Sequence, residues 1–300
     1  RAIPVGRFDF EAPDPGSDPT LAPEELSGLT WIEGDRYLAI GDAHAVVHPM
    51  TISLDGRTGA VQSATFGAPI PLRDASGSRI PEPGMAEDRE GIALDAARRE
   101  MRIANEQTGL DRRVPSIERY SLDDGRARGV LRVDADSALA PFRQVRPNKS
   151  FEAITTADDG TTWTANEDAT TLDGPAAGAS AGAMVRLLHL DPELRPLGQV
   201  VYPLDPYGAS IRSPSIVAGR ELSGVAELAA LTGDRLLVLE RSFGGDIGGN
   251  ASLRTRLYLV DLKGATDVSG AEFRSGLAGK RYRPVQKALL WAESWGLTNS

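Results

Sequence analysis

The chain has 300 residues, with 33 Lys and Arg against 42 Asp and Glu, a formal charge of −9, and no cysteine. That acidic balance, without a Lys/Arg run, excludes a nucleic-acid partner, and no apolar run is long enough to cross a bilayer. Without cysteine there are no disulfides and no thiolate metal sites.

Val5 to Phe10 alternates as a strand does, and Pro13 to Pro23 is a Pro/Asp-rich connector. Leu29 to Ile32 and Tyr37 to Ile40 flank the turn-rich Glu33-Gly34-Asp35, which predicts a β-hairpin, with a third strand over Val46 to Leu54. A polar insertion follows over residues 71–89. Further strands are predicted near 91–95, 101–105, 116–122 and 128–133.

The plan then repeats. Ser27-Gly28-Leu29 with Ile40-Gly41-Asp42 is matched by Glu90-Gly91-Ile92 with Asn105-Glu106, by Glu152-Ala153-Ile154 with Asn166-Glu167, and by Ala226-Glu227-Leu228 with Leu239-Glu240. The openings fall at 27, 90, 152 and about 226, so the steps are 63, 62 and 74 residues. A self-similar period of four short strands is the pattern of a propeller blade. The sequence therefore predicts one all-β domain over residues 1–300, a β-propeller of four-stranded blades. Six blades are expected, with five or seven left open by the longer last step. Lys287 to Leu297 reads as the run-up to a further block, so the last blade is expected to be incomplete.

Loops are expected at 169–183, 203–220 and 243–252, rich in Gly, Ala, Ser and Pro. The first of these has side chains too small to pack and is expected to be mobile. It contains Gly178-Ala179-Ser180-Ala181-Gly182, a literal G-x-S-x-G. A nucleophile elbow needs a strand before the serine and a helix after it, and neither is predicted here. Thr156-x-Asp158-x-Gly160-x-Thr162-Trp163 resembles the Asp-box turn of sialidase-type propellers and favours a hairpin.

Acids at strand starts and ends carry the chemical expectation. In a propeller the first strand of each blade lines the central tunnel, so its acids converge on one mouth. Neighbouring carboxylates cannot all stay ionised unless cations neutralise them or some bind protons. All-oxygen donors suit Ca²⁺ or Mg²⁺ better than Zn²⁺. Glu90, Glu152, Asp42 and Glu240 are the metal candidates, and Glu106 and Glu167 the general bases. Arg241 and Lys149 are candidate phosphate clamps, with His44 a further substrate contact, and Arg241 also carries a catalytic assignment. The competing reading is that the acids cap backbone N–H groups and hold blades together. For Arg241 it is an ion pair to a neighbouring acid.

Leu26-Ser27-Gly28-Leu29, Asp88-Arg89-Glu90-Gly91-Ile92, Asn148-x-x-Phe151-Glu152-Ala153-Ile154 and Leu237-Val238-Leu239-Glu240-Arg241, in this order, resemble the phytase-like family labelled "esterase-like activity of phytase". The resemblance implies a bacterial propeller, secreted or periplasmic, with metal-dependent phosphoester hydrolysis on a small molecule. No leader opens the chain, so a secretory signal is expected to be absent or already removed. Ser27 in place of an acid and Ala153 in place of Gly depart from the family pattern. The E-G-I opening also resembles sugar-lactonase propellers, where such a Glu binds a divalent metal. The alternatives are a lactonase-type ester hydrolase and a metal-stabilised binding propeller without chemistry. A monomer is expected in each case.

Overall fold

The structure, a computed structural model, describes residues 8, 9, 16, 18–42, 44–80, 88–106, 114–133, 137–207, 222–245 and 251–297. The expected strand at Val5 to Phe10 lies largely outside them. Among the described residues every sheet is antiparallel and up-and-down, and the only helical pieces are three short 3₁₀ turns. These sheets are the four-stranded blades the sequence predicts, and among the described residues there are four, not six. Each period of some sixty to seventy residues holds one such sheet among the described residues, with the rest of its length in connections.

The first sheet contains β1 (Leu26–Glu33), β2 (Arg36–Gly41), β3 (Val46–Leu54) and β4 (Val61–Phe66), with the short β5 (Ile70–Pro71) beside β3. The second contains β6 (Arg89–Asp95), β7 (Glu100–Asn105), β8 (Ser116–Ser121) and β9 (Ala127–Arg132). The third runs β10 (Phe151–Thr156), β11 (Thr162–Asn166), β12 (Ala183–Leu190) and β13 (Pro196–Leu204). The fourth runs β14 (Leu222–Leu231), β15 (Arg235–Gly245), β16 (Ala251–Asp261) and β17 (Gln286–Leu297). The last sheet is complete, contrary to expectation. Gln286–Leu297 pairs with β16 along its length and supplies the outer strand.

Contacts divide the chain into two compact units, one of residues 3–132 with 154–156 and one of the remainder. In the first, Leu38, Ile40, Val47, Leu72, Ile92, Met101, Ile103 and Tyr120 form the core between its two sheets. In the second, Val185, Leu187, Tyr202, Val225, Leu228, Val238 and Val260 do the same. Each such side chain contributes about 1.5–3 kcal/mol on leaving water. Strand β7 is buried along its whole length, so its polar members need internal partners. Arg102 is held by Asp95 at 2.6 Å, and Glu100 receives both Nε and Nη2 of Arg119 at 2.8 Å.

The loop expected at 169–183 is present between β11 and β12, but it is anchored rather than loose: Ala169, Thr170, Asp173 and Ala177 are buried. The carboxylate of Asp168 accepts the N–H groups of Ala169 and Ala177, at 2.7 and 3.1 Å, and Asp173 meets Arg186. Side chains too small to pack are compensated by two carboxylates that tie the loop's backbone inward. At 243–252, strand pairing continues instead, with β15 reaching Gly245 and β16 starting at Ala251; residues 246–250 lie outside the described set. Within the loop predicted at 203–220, β13 continues through Leu204, and residues 208–221 are also outside it. Ser180 lies exposed in the loop between β11 and β12, with no helix after it, so no nucleophile elbow exists there. The turn of the Asp-box-like stretch does join β10 to β11. Gly160 has φ +81°, and Asp159 accepts the N–H of Thr161 at 2.9 Å.

His48 lies on β3, buried, with its ring edge-on to Phe66 at 6.1 Å. Burial, with a smaller contribution from the charge of His44, pushes its pKa down to about 4. An unfolded histidine titrates near 6.5, so between these values the unfolded chain binds the extra proton and stability falls as pH drops. The loss between pH 7 and pH 5 is about 1–2 kcal/mol. In urea denaturation, His48→Gln should lose less stability over that interval than the parent, by this amount. Equal losses would show that His48 is not the group responsible.

Candidate functional site

The repeat places its acids by a shared backbone device. In β1, β6 and β14 the pairing register slips between Leu26 and Gly28, between Arg89 and Gly91, and between Val225 and Glu227. The extra residues are Ser27, Glu90 and Ala226. A bulge leaves one residue out of the ladder and re-aims its side chain, and bulges of this kind gather beside functional sites. Beyond the bulge the chains close in the same way. The N–H of Asp42 donates to Glu25, that of Glu106 to Asp88 and that of Glu167 to Ser150, at 3.3, 2.7 and 2.7 Å. Asp42, Glu106 and Glu167 therefore hold one repeat position.

In the fourth sheet Val225 pairs with Glu240 and Gly224 with Arg241. This register puts Arg241, not Glu240, at the position of those three acids. Glu240 is fully buried and its oxygens are taken. Tyr202 and Lys287 reach Oε1 at 2.7 Å, and Arg256 reaches Oε2 at 3.3 Å. Lys287 also lies 4.1 Å from the ring centre of Tyr258 and bonds Asp205 at 2.9 Å. The surroundings of Glu240 are those of a charge lock.

Within the unit of residues 3–132, three acids meet. Asp42, Asp88 and Glu90 each offer a carboxylate oxygen, all within 4.8 Å of one another and all partly buried. Glu106 is almost wholly buried, and one of its oxygens comes within the same distance of one from Glu90. The sequence reading had missed Asp88. Two residues along an extended chain share a face, so the spacing of Asp88 and Glu90 was the available signal. Close approach of β1 to β6 sets the cluster. A Cβ on Gly28 would lie 2.9 Å from the nitrogen of Ile92 and 3.1 Å from the carbonyl oxygen of Glu90. Only glycine fits there.

In the other unit the predicted residues form pairs. Glu152, on β10, meets Nη2 of Arg241 at 3.3 Å. The Arg241 side chain remains 54% exposed, which leaves guanidinium N–H groups open to an anion. Lys149 is bonded to Oε2 of Glu167, whose side chain fills the space over Gly224. His44, in the unit of residues 3–132, lies outside the strands with Nε2 at 3.7 Å from Glu24.

Carboxylate oxygens about 5 Å apart repel by about 3 kcal/mol per pair at an effective dielectric near 20. A hard divalent cation offsets that, and a donor set of oxygens alone fits Ca²⁺ or Mg²⁺. Among the described residues no helix is long and apolar enough to cross a membrane.

No curated protein matches the chain. Solved structures match weakly. Hydrazine synthase of Kuenenia stuttgartiensis aligns at 9% identity and TM-score 0.35, over 80% of this chain and 63% of that one. The Dos1 propeller aligns at 7% and 0.36, over 79% and 57%. A protein from Lactobacillus plantarum aligns at 12% and 0.30, over 91% and 89%. The chain thus spans less than two thirds of the first two, and scores this low carry no argument. The sequence model described as "Phytase-like: Esterase-like activity of phytase" matches residues 24–298, and the chain belongs to that family.

Proposed function

We propose that the chain is a divalent-metal-dependent hydrolase of small phosphoesters. The observation that supports this most is the convergence of Asp42, Asp88 and Glu90 in a chain of the phytase-like family. These three would hold a Ca²⁺ or Mg²⁺ ion, which when bound supplies positive charge to the phosphoryl oxygens and acidifies a water. Glu106, buried at the edge of the cluster, is the residue we assign to accept the proton of the attacking water. The bulge at Glu90 and the bond from Glu106 N–H to Asp88 hold these carboxylates in place ahead of any ligand, which reduces the ordering cost of binding. Export to the periplasm or beyond belongs to the same proposal and fits a chain without cysteine.

The test is hydrolysis of a panel of phosphomonoesters, phosphodiesters and lactones, with Ca²⁺ and with chelator. Phosphoester turnover that depends on Ca²⁺ and drops about a hundredfold or more in Glu106→Gln is the expected result. Turnover of lactones alone would replace this reading with a lactonase. Silence on every substrate would leave a binding module.

A further inference from the structure

The polar insertion before β6 carries a feature that the reading above does not use. Its hairpin closes through Ile80 N–H to Leu72 at 3.0 Å and Asp74 N–H to Ser78 at 2.8 Å. Arg73 is bridged on one side to Arg79, antiparallel, and on the other to Arg126, parallel. The second bridge is held by Arg73 N–H to Gly125 and Ala127 N–H to Arg73, both at 2.9 Å. Residues bridged in this way stand on one face of the ladder, where like charges directly opposite each other are destabilising. Three arginines in a row therefore call for anions.

Few are available. Arg79 is met by Asp18 at 2.9 Å. Among the described residues neither Arg73 nor Arg126 has a carboxylate within ion-pair distance. Asp74 spends its Oδ1 on the N–H groups of Ser76 and Ser78 and the hydroxyl of Ser76, at 2.8, 3.0 and 2.6 Å. Asp124 accepts the backbone N–H of Arg126 at 3.2 Å. That bond is the main cause of its lowered pKa, followed by the Ser121 hydroxyl, with the charges of Arg126 and Arg128 acting as weaker causes.

These two guanidiniums, without a carboxylate partner among the described residues, converge on one glycine. Nη1 of Arg73 donates to the carbonyl of Gly77 at 3.0 Å. Nη2 of Arg126 lies 2.7 Å from where a Cβ on Gly77 would stand, and Gly77 has φ +95°. The turn thus needs glycine for its backbone, and the Arg126 guanidinium lies directly over it.

We propose that Arg73 and Arg126 form a binding site for a phosphate group, on a chain whose net charge is −9. Guanidinium forks offer paired, coplanar N–H donors that match two oxygens of a tetrahedral oxyanion. The site uses none of the residues of the carboxylate cluster and needs no metal.

Isothermal titration at fixed ionic strength, with chelator present, tests this directly. Inorganic phosphate should bind saturably, about one per chain, and Arg126→Gln should weaken it about tenfold or more. Arg73→Lys keeps the charge and loses the fork, so it should weaken binding severalfold. Glycerol phosphate distinguishes the sources: binding equal to inorganic phosphate marks a site for esters, and its absence marks one for the free ion. Circular dichroism checks that both variants fold. Phosphate heats that do not saturate, or an Arg126→Gln variant that binds as the parent does, would overturn the proposal.

Discussion

Asp173→Ala should destabilise the protein by about 3–5 kcal/mol in denaturant unfolding, the cost of stranding a buried cation. Arg186, on β12, is fully buried, and all five of its N–H groups are met. Nε and Nη2 reach the two oxygens of Asp173 at 2.7 and 2.8 Å. Nη1 reaches Gln199 Oε1 at 3.0 Å and the Val268 carbonyl at 3.2 Å, and Nη2 reaches the Phe273 carbonyl at 2.9 Å. One guanidinium therefore fastens the loop after β11, strand β13 and the segment leading to β17. Without Asp173 the cation keeps three neutral acceptors and loses its counter-charge. Asp173→Asn retains one acceptor and should cost less. Adding Arg186→Met to Asp173→Ala should recover part of the loss, because an apolar pair of similar volume needs no counter-charge. Recovery stays partial because three acceptors, Gln199 Oε1 and the Val268 and Phe273 carbonyls, then lose their donor. If the single and double variants were additive, the two residues would not be coupled and this account of the loop would fail.

That anchoring shows where sequence reading reached its limit. The hairpins were legible because they depend on local alternation: β1 with β2, β6 with β7, β10 with β11 and β14 with β15 all fall where the repeat put them. The loop at 169–183 was legible as a loop but not in its anchoring, because that depends on which groups Asp168 and Asp173 reach, Ala177 and Arg186 among them, and composition does not encode it. The blade count failed in a related way. A repeat length fixes how often the pattern recurs, while the amount of chain spent on inserts is free.

The site was legible by residue type and misread in register. Asp42, Glu90 and Glu106 were found because acids recur at strand ends. Glu240 was grouped with them by residue type, but Val225 pairs with Glu240 and the next position, that of Asp42 and Glu106, falls to Arg241. A one-residue misalignment exchanges the two faces of a strand, and here it put a carboxylate where the chain has a guanidinium. Counting from Ser27 to Asp42 and from Ala226 to Arg241 gives the same spacing, so this signal was in the sequence. Asp88 was likewise in reach, two residues before Glu90 on an extended segment.

Addition of Ca²⁺ should raise the melting temperature, and chelator should reverse it. A ligand that binds only the folded chain stabilises it by about 2.7 kcal/mol when its free concentration is a hundred times the dissociation constant. For a chain of this size that corresponds to about 5 °C. The carboxylates Asp42, Asp88 and Glu90 stand within 4.8 Å of one another only because folding brings β2 and β6 together, so the unfolded chain offers no equivalent site. Asp88→Asn removes one donor charge and should abolish most of the increment. The same change relieves mutual repulsion, so without Ca²⁺ this variant should melt at or above the parent's temperature. That crossed pattern separates a cation site from carboxylates that merely cap backbone groups, whose loss would lower stability with or without metal. Glu193→Gln is the control, since Glu193 lies in the exposed β12–β13 turn beside Arg195 at 3.3 Å and should leave the increment unchanged. A melting temperature indifferent to both Ca²⁺ and chelator would sink the metal reading.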